Sequence, residues 1–269
     1  MADLPTPRLA MILWGIPKSG KTTLAASAPG RKWDISLDPE GYIPILSRGD
    51  VEVWDYSDRT PAELIKELTD GALRKRILEA DIQPGDTVLF DSITQLQNAG
   101  LRVAVDKGVG SGKAFSPTLE EPGQTAYGAR TQYLISTMNT IIQATRKKNA
   151  HVIFMAHEGT PERNKEGSIL YYAPFMSDNA INQASGAVSE IWRVTENDNA
   201  RTVQIRSSTM YRPCGTRMFK TNEAKDFKLY YDPEKSDATQ PMSLVSLWNA
   251  YIDGGMQKLH VPEPPKNAR

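Results

Sequence analysis

A chain of 269 residues is long enough to bury a substantial core as one large α/β domain. Its 32 acidic and 32 basic residues cancel, so no global field draws in nucleic acid or membrane and any basic surface is local. The single cysteine, Cys214, excludes an internal disulfide and a cysteine-rich metal site, and no apolar run approaches the roughly 20 residues of a membrane span. With no N-terminal targeting segment to read, a soluble cytoplasmic protein is expected, with no membrane partner.

Residues 1–8 read as a flexible arm. Leu9–Trp14 is an apolar run of strand length, and it leads into Gly-Ile-Pro-Lys-Ser-Gly-Lys-Thr at residues 15–22. That octapeptide is a full match to G-x-x-x-x-G-K-[ST], the loop that cradles the phosphates of a nucleoside triphosphate. Gly15 and Gly20 let the backbone curl so that the amides across Ile16, Pro17, Lys18 and Ser19 can turn on an anion. Lys21 is the residue to reach the β- and γ-phosphates, and Thr22 the one to place a hydroxyl on Mg2+. Thr22 and Thr23 open a helix whose positive dipole end lies beneath the anion. Strand, glycine loop and helix follow in the order the motif requires, with Pro29-Gly30 closing the helix. Gly108–Lys113 only looks similar: it lacks the four-residue gap and reads as a flexible loop.

Further strands are expected at Lys32–Leu37 and Val51–Trp54. The first ends in Asp38-Pro-Glu-Gly41, where a carboxylate could polarise an attacking water; the same residues would equally make an acidic turn. Thr60-Pro61-Ala62-Glu63 signals a helix start with a capping box, and Leu64, Ile65, Leu68, Leu73 and Ile77 give that helix an apolar face, with Gly71 a point of interruption. Thr87–Phe90 is a continuous buried-strand run ending in Asp91, a metal-holding carboxylate or a helix N-cap.

Residues 100–126, rich in glycine, proline and charge, are expected as a long loop, and a long helix over 126–148 follows. His151–Ala156 is a further central strand with His157 at its end. His157 reads either as a polar sensor or as a satisfied strand-end histidine, and His151 and His260 are not at metal-ligand spacing with it. A polar loop at 158–169 and a short helix at Ser177–Gly186 come next. Strands are then expected at Glu190–Thr195, Thr202–Arg206, Arg217–Lys220 and Lys228–Tyr231, with a closing helix near 241–252 and a flexible proline-rich tail over 254–269. The pattern is that of an α/β fold: a mostly parallel central sheet flanked by helices, with an antiparallel C-terminal extension.

Phosphate loop, Asp38-x-Glu40, Val88-Leu-Phe-Asp-Ser92 and Phe154-Met-Ala-His157, in that order, resemble the stations of the RecA-like P-loop ATPase core. More narrowly they resemble compact phage-encoded RecA-like proteins, proposed as single-strand annealing recombinases and often labelled AAA-family ATPases. The resemblance covers residues 9–232 within an ATPase domain of 9–253, although the N-terminal polymerisation element of RecA has no counterpart beyond Met1–Arg8. It implies ATP and Mg2+ as cofactors, with Asp91 and Thr22 on the metal, Glu40 polarising water and His157 sensing the γ-phosphate. It also implies a homo-oligomer, ring or filament, in which Arg206 or Arg212 reaches a neighbour's nucleotide.

On the same resemblance, residues 158–176 stand where a DNA-binding loop lies. Arg163 and Lys165 would meet phosphate and Tyr171, Tyr172 and Phe175 would stack on bases, while Glu158, Glu162 and Glu166 leave the loop with little net charge. Lys107, Lys113 and Arg130 are further phosphate candidates. The implied function is an ATPase acting on single-stranded DNA in phage-type recombination or replication, by annealing or strand exchange, with a single-strand-binding protein among its partners. An ATP-dependent switch or packaging-related ATPase acting on protein is the alternative. A small-molecule kinase fits less well, because no arginine-rich lid is evident and Arg74-Lys-Arg76 reads as a solvated helix face.

Overall fold

The computed structural model describes residues 7–112, 117–197, 200–229 and 242–263. One eight-stranded sheet organises them. In chain order the strands are β1 (Ala10–Gly15), β2 (Lys32–Ser36), β3 (Val51–Asp55), β4 (Thr87–Asp91), β5 (His151–His157), β8 (Glu190–Asn197), β9 (Ala200–Gln204) and β10 (Asp226–Leu229), while β6 (Glu162–Arg163) and β7 (Ile169–Tyr171) pair apart. The sheet order is β10-β9-β8-β1-β5-β4-β2-β3. Strands β3 to β8 across the middle are parallel, and β9 and β10 join antiparallel. The expected α/β class, with its parallel sheet and antiparallel C-terminal strands, is what forms.

The central strands β1, β4 and β5 are near-continuous apolar runs because both faces are covered. From β1, Ile12 and Trp14 face a layer made by α3 (Pro61–Thr69), α4 (Ala72–Glu79), α5 (Ile93–Asp106) and α6 (Gly123–Lys148). Met11 and Leu13 face the opposite layer, with Leu24 of α1 (Lys21–Ala25) and Leu244, Leu247 and Trp248 of α8 (Leu244–Asp253). The two remaining helices are α2 (Ile43–Leu46) and α7 (Asp178–Ala187), the latter capped by the Ser177 hydroxyl. The capping box at Thr60 and Glu63 is made, and Gly71, at φ 94°, ends the first helix and starts the second. Arg76 is exposed, as read from the sequence, and its guanidinium lies over Trp54 at 4.3 Å and donates to the Tyr56 hydroxyl.

Three expectations need correction. The loop expected from residue 100 is helical as far as Asp106, and the next helix starts at Gly123. Ile93, Leu96, Ala99, Gly100, Val103 and Ala104 repeat at helical spacing, and Gly100 sits where a Cβ would come 3.2 Å from the Tyr133 ring carbon. This glycine allows close helix packing rather than a turn. The polar loop after β5 contains the β6–β7 hairpin, and Lys113 lies outside the described residues. Arg217–Lys220 forms only a single bridge, Phe219 to Leu259. Through that bridge the segment after α8 is drawn onto the fold: Leu259 N donates to Met218 O, Lys220 N donates to Leu259 O, and Leu259 and Val261 pack on the core. Residues 1–6 and 264–269, and with them most of the arm and the end of the tail, are outside the described residues.

His151 is a core group. Its Nδ1 accepts the Leu9 amide at 2.8 Å and its ring meets Trp248 edge-on. Burial, then Arg8, lower its pKa to about 4 against the opposing pull of Asp86. A base held neutral in this way contributes stability that is full above pH 6.5 and is lost as pH falls towards 4. The loss between pH 7 and 4.5 should be about 2–3 kcal/mol. Urea unfolding at the two pH values checks it: His151→Gln should be less stable than wild type at pH 7 and should lose less on acidification.

Candidate nucleotide-binding site

The site is built at the carboxyl ends of β1, β2, β4 and β5, where parallel sheets place their ligands. Gly15 ends β1 so closely against β8 that a Cβ there would drive into the Val194 carbonyl, and Gly20, at φ 92°, turns the loop into α1. Ile16, Pro17 and Lys18 are exposed on the rim, whereas Ser19 and Lys21 are buried and Thr22 and Thr23 are half-buried. Ser19 Oγ is buried with no partner, which suits a phosphate oxygen. Lys21 Nζ donates to the carbonyls of Gly15 and Ile16, at 3.1 and 2.8 Å. Burial lowers its pKa to about 8, against the pull of Asp91, Asp38 and Glu158.

Asp91 meets α1 directly: Thr22 Oγ1 donates to Asp91 Oδ2 at 2.8 Å. The N-cap of α5 is Ser92, whose hydroxyl accepts the Gln95 amide, so the Asp91 carboxylate is left for the nucleotide side. Burial and then Asp38 raise the Asp91 pKa to about 7, against Thr22 and Lys21. A hydroxyl and a carboxylate in contact beside a phosphate loop are the two hard oxygen donors that Mg2+ takes from a protein, leaving other positions to phosphate and water. No cluster of three or more His, Cys, Asp or Glu that could hold a metal occurs among the described residues. The residues present therefore fit a phosphate-bound magnesium ion rather than an all-protein metal cage.

Asp38, not Glu40, is the carboxylate that the β2 end brings to this centre. Its main chain is drawn to Asp91, since the amides of Leu37 and Asp38 both donate to Asp91 O. Its carboxylate lies 3.7 Å from His157 Nε2, beyond hydrogen-bond length. Glu40 is exposed on left-handed backbone, φ 58°, at the outer side of the turn. His157 thus reaches the crevice, and burial and then Lys21 lower its pKa, with Asp38 opposing.

A model of one protein family, described as "AAA domain", matches residues 8–226. The chain belongs to the AAA-domain family. As a member, this AAA domain is an ATP-binding and ATP-hydrolysing unit. Among solved structures it is similar to an ATPase from the type III secretion system of pathogenic bacteria, with 12% identity, TM-score 0.43, and 70% of this chain covered. It is also similar to the RadB recombinase, with 16% identity and TM-score 0.42, over 75% of this chain and 84% of that one. The AAA domain spans about half, 51%, of the secretion ATPase chain. None of the curated proteins compared matches it.

Several expected contacts of the AAA domain are differently engaged. The Arg206 guanidinium donates to the carbonyls of Thr221 and Ala224, so it is tied to its own chain. Arg212 lies over Tyr171 at 3.7 Å, and Tyr172 stacks on Tyr211 at 5.4 Å, so neither tyrosine ring is free-standing. The antiparallel pairing of β6 with β7 folds this loop back on itself. Arg163 and Lys165 are exposed at the hairpin, Arg163 donating to Gly167 O at 2.6 Å. Arg130 lies under the loop instead, near Tyr127 and Phe175.

Two groups at the site were missed in the sequence reading. Glu158 is not a loop charge: it forms a 2.8 Å ion pair with Arg193 of β8, both side chains 9% exposed. Asp34 of β2 is fully buried with both carboxylate oxygens unpartnered, and burial, with Asp91 next, pushes its pKa well above the usual range. An acidic residue inside an otherwise apolar strand run, Trp33-Asp34-Ile35, was the visible sign of the second.

Proposed function

We propose that this AAA domain hydrolyses ATP to act on single-stranded DNA in phage-type recombination or replication, by annealing or strand exchange, and does so as a homo-oligomer. The observation that carries the reading is the double attachment of His157. Its side chain stands in the nucleotide crevice with Asp38, while its main chain anchors the 158–176 loop: His157 N donates to Thr94 Oγ1 at 2.9 Å and His157 O accepts the Phe175 amide at 2.8 Å. Gln97, one turn further along α5, donates to Phe175 O. A change at Asp91 or at the γ-phosphate position therefore has a short covalent and hydrogen-bonded route to the loop. With Glu158 neutralised by Arg193, the exposed hairpin keeps Glu162, Arg163, Lys165 and Glu166, a balanced set that permits local phosphate contact. Exposed Ile43 and Leu46 on α2, just after the Asp38–Gly41 turn, support assembly near the site. Exposed Leu170, at the hairpin, keeps the protein-directed alternative in play.

The test is ATP hydrolysis with and without single-stranded DNA, titrated with salt, with Lys21→Ala as the blank. Stimulation by DNA that fades as salt rises is expected. Turnover indifferent to DNA moves the reading to a protein substrate. In the same assay Asp38→Asn and Glu40→Gln separate the two carboxylates. The geometry favours loss of turnover with retained ATP binding for Asp38→Asn. The same loss in Glu40→Gln alone would return the role to Glu40.

A further inference from the structure

The antiparallel extension does more than widen the sheet. The β8–β9 hairpin presses on the phosphate loop at both of its glycines: Val194 O blocks Cβ space at Gly15, and Arg201 blocks it at Gly20. A Cβ on Gly20 would lie 2.8 Å from Arg201 Nε and 3.0 Å from its guanidinium carbon. The guanidinium therefore lies flat against the residue immediately before Lys21. Among the described residues its charged partner is Glu196, at 4.0 Å, too far for a hydrogen bond. The Arg201 side chain keeps 28% exposure, so its N–H donors are reachable from the solvent side of the loop.

We propose that Arg201 is a contact for the α/β-phosphate portion of the bound nucleotide, supplied in cis by the β8–β9 hairpin. Three physical facts converge on it. Gly20 belongs to the stretch of loop whose amides cradle the α- and β-phosphates, so a cation laid on Gly20 stands beside that part of the ligand. Arginine matches phosphate oxygens with a planar fork of donors, which a 4.0 Å ion pair with Glu196 leaves unspent. Arg206 and Arg212, the arginines read from the sequence as candidates, are engaged with the carbonyls of Thr221 and Ala224 and with the Tyr171 ring. The assignment rests on the nucleotide reading and is independent of whether the substrate is DNA.

The experiment is calorimetric titration of the full chain with Mg-ADP and Mg-ATP, without DNA, for wild type, Arg201→Ala, Arg201→Gln and Arg201→Lys. Arg201→Ala should weaken ADP and ATP by the same factor, about tenfold or more, the value of one charge-assisted hydrogen bond. Arg201→Lys should recover part of the loss, because it keeps the charge and loses the fork. The melting midpoint of the nucleotide-free variants should stay near wild type while the rise on adding ADP shrinks, which a merely structural role would not produce. If Arg201→Ala lowers that midpoint, Arg201→Gln, which keeps the bulk, carries the comparison. Equal or tighter binding of both nucleotides in the variants overturns the assignment, as does a loss confined to ATP, which would mark a γ-phosphate contact. If wild type itself binds neither nucleotide, the nucleotide reading fails and not merely the role of Arg201.

Discussion

Asp91→Asn should fold, bind ATP, and hydrolyse it about 10²–10³-fold more slowly than wild type. The carboxylate accepts the Thr22 hydroxyl at 2.8 Å, and these two groups would hold a divalent ion beside the phosphate loop. An asparagine keeps an oxygen for Thr22 and loses the negative charge, so the loss should fall on turnover with little effect on the fold. Stability should move the other way. Burial, with Asp38 next, raises the Asp91 pKa to about 7, and an acid with a raised pKa contributes stability that is full below its unfolded pKa and lost as pH rises through the folded value. Without nucleotide and magnesium, Asp91→Asn should therefore melt above wild type at pH 8, with the advantage shrinking by pH 5. Steady-state ATP turnover and melting curves at the two pH values check both halves. A variant that turns over ATP normally would remove Asp91 from the mechanism.

Arg193→Ala should be the most destabilising change near the site, by about 3–5 kcal/mol. It strands Glu158, whose side chain is 9% exposed and whose only ion pair is with Arg193 at 2.8 Å among the described residues. The arginine also lies over Tyr211 at 3.6 Å and over Trp14 at 5.6 Å, so packing is lost with the charge. At roughly 2–4 °C per kcal/mol for a chain of this size, the melting midpoint should fall by about 10 °C. Arg193→Lys should recover only part of the loss, since an ammonium restores a charge beside Glu158 but does not stack as a plane on Tyr211. The double change Arg193→Met with Glu158→Leu should recover most of the stability, because removing both charges removes the stranded one. The double variant should still lose nucleotide affinity. Glu158 is one of the charges that hold Lys21 protonated, and its amide bonds Gly15 O at 2.9 Å. Chemical unfolding of the three variants, with ADP titration of the double, tests this.

The phosphate loop and the apolar strand runs were legible because each is a local pattern. A glycine loop needs its residues in one order within eight positions, and a strand buried on both faces reads as a near-continuous apolar run. The α5 helix was less legible: Gly100 and the polar stretch after it look like loop until Tyr133 of α6 is seen against that glycine. The choice between Asp38 and Glu40 was not legible at all. Both flank one proline in an acidic turn, and only the pairing of β2 with β4, which draws the Leu37 and Asp38 amides to Asp91 O, turns one inward.

By itself, then, the order of residues determined the ligand class and the parallel sheet with its antiparallel end, because short-range geometry and burial periodicity are written within single elements. Tertiary structure alone decided which charges share space. Glu158 finds Arg193 across 35 residues, and Arg201 comes to Gly20 only because β8 lies beside β1. Side chains far apart in the chain meet through sheet order and register, and electrostatic interactions at such short distances depend on where the backbone puts them rather than on their spacing in sequence.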